Sequence, residues 1–81
     1  MTRDAQALKL TPRQRSVLLY IHRNETPDFG VIVDPRIAGA FTRKGWTATG
    51  LRRKFARDSG ACVRLTDEGY MVVRSIERVL A

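Results

Sequence analysis

With one cysteine, Cys62, and one histidine, His22, the chain has little room for sulfur or metal chemistry. A lone thiol excludes an internal disulfide, and no second Cys or His stands at ligand spacing. Ser16, His22 and Asp28 follow no spacing that would build a nucleophile–base–acid array. No phosphate-cradling glycine loop or carboxylate pair accompanies them. Catalytic residues, metal ligands and cofactors are therefore not expected. No apolar run approaches the roughly 18–20 residues that span a bilayer. Residues 1–10 also lack the apolar stretch of a secretory leader. The expectation is a cytoplasmic protein in a reducing setting, with no membrane contact.

Acidic residues are almost missing from the middle of the chain, and this is the most informative scarcity. Residues 35–64 hold Arg36, Arg43, Lys44, Arg52, Arg53, Lys54, Arg57 and Arg64 against one acid, Asp58. The rest of the chain carries seven bases and seven acids, so the whole net charge of +7 lies in that third. Arginine outnumbers lysine twelve to three, which a GC-rich coding bias would explain, but such a bias does not cluster charge. Clustered cations without interleaved acids are the electrostatic footprint of a polyanion-binding surface.

At 81 residues there is room for one core, and the 43% hydrophobic content is enough to build it. Residues 1–10 are read as a loosely ordered lead-in, and 11–81 as the domain. Thr11-Pro12-Arg13-Gln14 combines a cap, a first-position proline and the returning Gln of a capping box, so a helix is expected over 12–23. Val17, Leu18 and Ile21 would face inward. Val31-Ile32-Val33 reads as a strand, and Asp34-Pro35 opens a short helix with Ile37, Ala38 and Phe41 on one face, stopped by Gly45. Thr47 or Thr49 would cap a third helix running to about Asp58. Ala61 to Leu65 alternates as a second strand, and Thr66 would cap the last helix.

Turning 100° per residue, the expected third helix places Ala48, Leu51 and Phe55 toward the core and Thr49, Gly50, Arg53 and Arg57 away from it. Such a helix suits a DNA major groove. Arg53 would contact guanine, Thr49 a base or a thymine methyl, and Thr47, at the start of that helix, belongs to the same expected DNA-binding set. Gly50 would allow close approach, while Arg52, Lys54, Arg43, Lys44 and Arg36 would meet phosphates. An ordinary solvated face is the plainer alternative. It usually interleaves acids, as Glu77 does between Arg74 and Arg78. Trp46 reads as core between helices or as a stacking platform, and Arg64 as a wing contact or simple solvent charge.

Leu10-Thr11-Pro12-Arg13-Gln14 with Val17-Leu18, then Ile37-Ala38, then Leu51, Phe55, Gly60, Val63 and Leu65-Thr66-Asp67-Glu68-Gly69, resemble the winged helix-turn-helix domains of small MarR-type bacterial and phage regulators. The resemblance covers about residues 10–81. It implies an α+β, mostly α fold of four helices and a short two-stranded sheet. Only Ser59 to Arg64 separate the expected third helix from the closing Leu65-Thr66, so the wing would be reduced or absent. It implies sequence-specific binding of double-stranded DNA by a transcriptional regulator. A wingless protein-interaction adaptor is the alternative. The last helix has surplus apolar residues, so Met71, Val72 or Val79 would suit a homodimer contact.

Overall fold

The computed structural model describes residues 3–53 and 60–80. Helices α1 (Arg3–Lys9), α2 (Pro12–Asn24), α3 (Pro35–Arg43) and α4 (Asp67–Leu80) surround strands β1 (Val31–Val33), β2 (Thr47–Thr49) and β3 (Ala61–Leu65). The strands form one antiparallel sheet in the order β1-β3-β2. The fold is thus α+β and mostly helical, with three strands where two were expected.

Local chemistry accounts for most boundaries. Thr11 accepts the Gln14 amide while the Gln14 side chain accepts the Thr11 amide, and Pro12 occupies the first turn of α2. Asp34 caps α3 by accepting the Arg36 amide. Gly45, at φ +79°, takes the left-handed turn that ends α3 and leads the chain to Trp46. Thr66 Oγ1 accepts the Gly69 amide at the start of α4, where Asp67 and Glu68 meet the helix dipole.

The main core lies on one face of the sheet. Val31, Val63 and Leu65 meet Leu18 and Ile21 of α2, Ala38 and Phe41 of α3, and Val73 and Ile76 of α4. Trp46 is 3% exposed with its ring 5.8 Å from that of Phe41, so it closes the core. The carboxylate of Glu25, just past α2, accepts the Leu65 amide and the Tyr70 hydroxyl, tying α2, β3 and α4 together.

Two expectations are corrected at the N-terminus and on α4. The stretch read as a loose lead-in forms α1, which packs along α4 and buries Ala7 and Leu10. Val72, offered to a partner chain, is fully buried in the same core cluster as Ala7 and Leu10. A short polar-looking segment and a surplus apolar face on a distant helix thus satisfy each other. Met71 remains 38% exposed and Val79 half-buried.

Candidate nucleic-acid interface

The expected basic helix over 48–58 is overturned where the structure describes it. Residues 47–49 are strand β2, paired Thr47 with Leu65, Ala48 with Arg64 and Thr49 with Val63. Residues 50–53 are irregular, and Lys54, Phe55 and Arg57 lie outside the described residues. The threonines read as caps are also β-branched residues suited to a pleated ladder, and the exposed backbone of β3 selected that use. Ala48 and Leu51, assigned to the core, are exposed, Leu51 by 67%. A helix-turn-helix pair between β1 and β2 is therefore absent among the described residues, since α3 is the one helix there.

The basic run instead occupies the connection between two paired strands. Residues 50–60 join β2 to β3, and their sequence includes Arg52, Arg53, Lys54 and Arg57. The root of this connection is fixed by backbone contacts. The Gly50 amide donates to the Cys62 carbonyl at 3.0 Å, and the Gly30 amide donates to the Leu51 carbonyl at 3.1 Å. Gly50 matters because its backbone lies against Gly30 and Val63, not because it opens a helix. Arg52 donates to the Gly60 carbonyl across the connection. The Arg53 guanidinium lies 4.7 Å from the Phe29 ring centroid, so a flat cation stacks on the loop that precedes β1.

Arg64 is exposed on β3 and, with Thr49, Gly50 and Leu51, lines a hollow against residues 26–30. Thr49 is exposed at the end of β2. Thr47 is 2% exposed and hydrogen-bonds Thr42 between their hydroxyls at 2.9 Å. It is a packing residue, which corrects its assignment to the interface.

The remaining cations belong elsewhere. Arg36 is exposed in the first turn of α3 and shares a hollow with Arg13 and Gln14. Arg43, at the end of α3, donates from Nε to the Gly39 carbonyl. Lys44 places its ammonium 4.8 Å from the Trp46 ring centroid and shares a hollow with Lys9 and Gln14. Arg36 and Lys44 thus neighbour the N-terminal turn of α2, whereas Arg53 lines a hollow with Tyr20 and Asn24 at its other end. Thirteen helical residues put about 18 Å between those ends. Arg53 thus lies apart from Arg36 and Lys44, and these described cations do not share the single ridge that one helix would give. Among the described residues, no carboxylate pairs with Arg36, Arg43, Lys44, Arg53 or Arg64; the salt bridge seen there is Arg13 with Asp34, at 3.7 Å.

Glu25 escaped the sequence reading, because an acid at a helix end beside a loop is usually solvated. It is half-buried here. The Tyr70 phenol is held above its ordinary 10.0, first because its hydrogen bond to Glu25 favours the neutral form, then through burial. His22 meets Tyr70 edge-on at 5.8 Å and is otherwise a surface residue. Cys62 is buried beneath the Gly30–Gly50 crossing. Among the described residues no group of His, Cys, Asp and Glu could hold a metal ion, and no helix is long and apolar enough to cross a membrane.

Comparison with protein families, with curated proteins and with solved structures finds no match to this chain.

Proposed function

We propose that this chain binds double-stranded DNA through the basic connection between β2 and β3, as a small winged-helix-type regulator of bacterial or phage kind. The observation that carries the reading is the position of the charge. The densest cationic run, Arg52-Arg53-Lys54 with Arg57, belongs to a strand-to-strand connection, with Arg64 on the adjoining strand. A two-stranded β element carrying arginines can enter a DNA groove and neutralise phosphates on its walls. The order helix, strand, helix, then hairpin, with the first strand against the last, also agrees with a winged helix. In that comparison the hairpin is the wing and α3 stands alone where two helices are usual. The regulatory mechanism is occupancy: the bound protein blocks or recruits others at a promoter or recombination site.

The test is anisotropy titration of the full chain on random and selected duplexes over a series of salt concentrations. Five phosphates neutralised at the β2–β3 connection would contribute about −4.5 to the slope of log affinity against log salt. Lack of binding to any duplex at low salt would sink the proposal.

A second reading, a protein-interaction adaptor, draws on the open groove along α2 and α4, where Leu19 and Ile76 lie among Arg15, Arg23 and Glu77. Such a groove suits an acidic amphipathic segment. Binding of acidic protein without retardation of duplex would favour it.

A further inference from the structure

The cations of α3 do not stand alone. Lys44 lines one hollow with Lys9 and Gln14, and Arg36 lines a second with Arg13, Asp34 and the same Gln14. Gln14 is the shared wall, so Lys9 from the end of α1, Arg13 from the start of α2, and Arg36 and Lys44 from the two ends of α3 ring one patch. The sequence separates Lys9 from Lys44 by 35 positions, and the two N-terminal cations lie outside the 35–64 segment that holds the excess charge. Only the packing of α1 and α2 against the Trp46 region brings them to the α3 cations. All four are exposed, and Asp34, which pairs with Arg13 at 3.7 Å, is the one acid lining either hollow.

We infer that Lys9, Arg13, Arg36 and Lys44 form a second phosphate-binding surface, at the N-terminal turn of α2 and apart from Arg53, which lines a hollow with Tyr20 and Asn24. This rests on the DNA reading and extends it from one contact to two. Phosphate is favoured over an acidic protein because the patch offers no apolar anchor. Trp46 is buried, Ile37 is half-buried, and the rest of the lining is Gln6, Leu10, Thr11 and Gln14 with the charged groups. Protein interfaces concentrate binding on buried aromatic and aliphatic anchors, whereas polyanion contacts need only reachable cations. Along α2 the hollows meet the helix at Gln14 and at Tyr20 and Asn24, about 9–15 Å apart, so the four cations and Arg53 reach different phosphates.

The test compares salt dependence on one random duplex of about 20 base pairs for three forms of the full chain: unaltered, K9Q/R13Q/R36Q/K44Q, and R52Q/R53Q/R64Q. Thermal melting establishes that each is folded. If the quadruple variant does not fold, Arg13→Glu and Lys44→Glu replace it, each expected to weaken binding at least about threefold. The second surface predicts that the quadruple variant loses about 2 to 3.5 from the salt slope, at about 0.9 per phosphate released. The hairpin variant would lose its own share independently. An unchanged slope for the quadruple variant, with a reduced one for the hairpin variant, overturns the second surface and leaves DNA binding standing. The reverse pattern supports the second surface and overturns the hairpin. An unaltered chain that ignores duplex but binds polyglutamate overturns both.

Discussion

A Cβ placed on Gly50 would fall 2.8 Å from the Cα of Gly30, two residues from opposite sides of the central strand that meet backbone to backbone. Each also faces Val63, the residue paired with both Val31 and Thr49. The chain leaving β2 thus crosses β3 to reach the loop before β1, and the basic connection starts from a fixed root. Gly50→Ala and Gly30→Ala are each expected to destabilise the fold by about 1–3 kcal/mol, because backbone on both sides blocks relaxation. Urea unfolding followed by circular dichroism measures this. A variant as stable as the parent would show that the crossing is not tight in solution.

Glu25 joins three elements through two acceptor oxygens. Glu25→Ala leaves the Leu65 amide without its acceptor and should cost about 1–3 kcal/mol; Tyr70→Phe, which removes one bond, should cost less. Chemical denaturation of both variants checks the order. Equal losses would mean that the amide bond contributes little.

The same contact sets a pH limit. Because Tyr70 has a raised pKa in the folded state, its contribution is fully present below the unfolded value of 10.0 and is lost as pH rises beyond it. The melting temperature should therefore fall more steeply above pH 10 in the parent than in Tyr70→Phe. Parallel curves would remove Tyr70 from the account.

Helix α1 is predicted to be part of the folded unit. Ala7 is fully buried where α1 meets α4, so Ala7→Asp places a carboxylate in an apolar contact and should cost more than about 2 kcal/mol. Proteolysis followed by mass spectrometry provides a second readout, with cleavage before residue 10 becoming fast in the variant and slow in the parent. Early cleavage of the parent would return the segment to a loose lead-in.

Thr47 and Arg64 separate packing from binding. Thr47→Ala removes the buried hydroxyl contact to Thr42 and should lower stability by about 1 kcal/mol while leaving duplex affinity unchanged. Arg64→Ala, on the exposed face, should leave stability unchanged and weaken binding to all sequences about equally. Loss of affinity in Thr47→Ala with unchanged stability would restore Thr47 to the interface.

The strongest local signals were legible in the chain. Thr11 with Gln14, Asp34 before Pro35, and Thr66 before two acids each mark a helix start that depends only on residues within one turn. Apolar spacing likewise identified Leu18, Ile21, Ala38 and Phe41 as core. The segment 47–53 was not legible, because Thr-Ala-Thr-Gly satisfies a helix start as well as a short strand. Its strand state is decided by Leu65, Arg64 and Val63, more than a dozen positions away.

The sequence by itself determined that the chain has one core, that three helix starts lie where they do, and that the excess positive charge belongs to residues 35–64. Tertiary structure decided what that charge is mounted on. It placed Arg52 and Arg53 in the connection between β2 and β3, gathered Lys9 and Arg13 beside Arg36 and Lys44, and buried Val72 in the core. The physical reason is range. Caps and periodic faces are closed by neighbours within a turn or two, whereas strand pairing and surface charge depend on partners that only folding brings near.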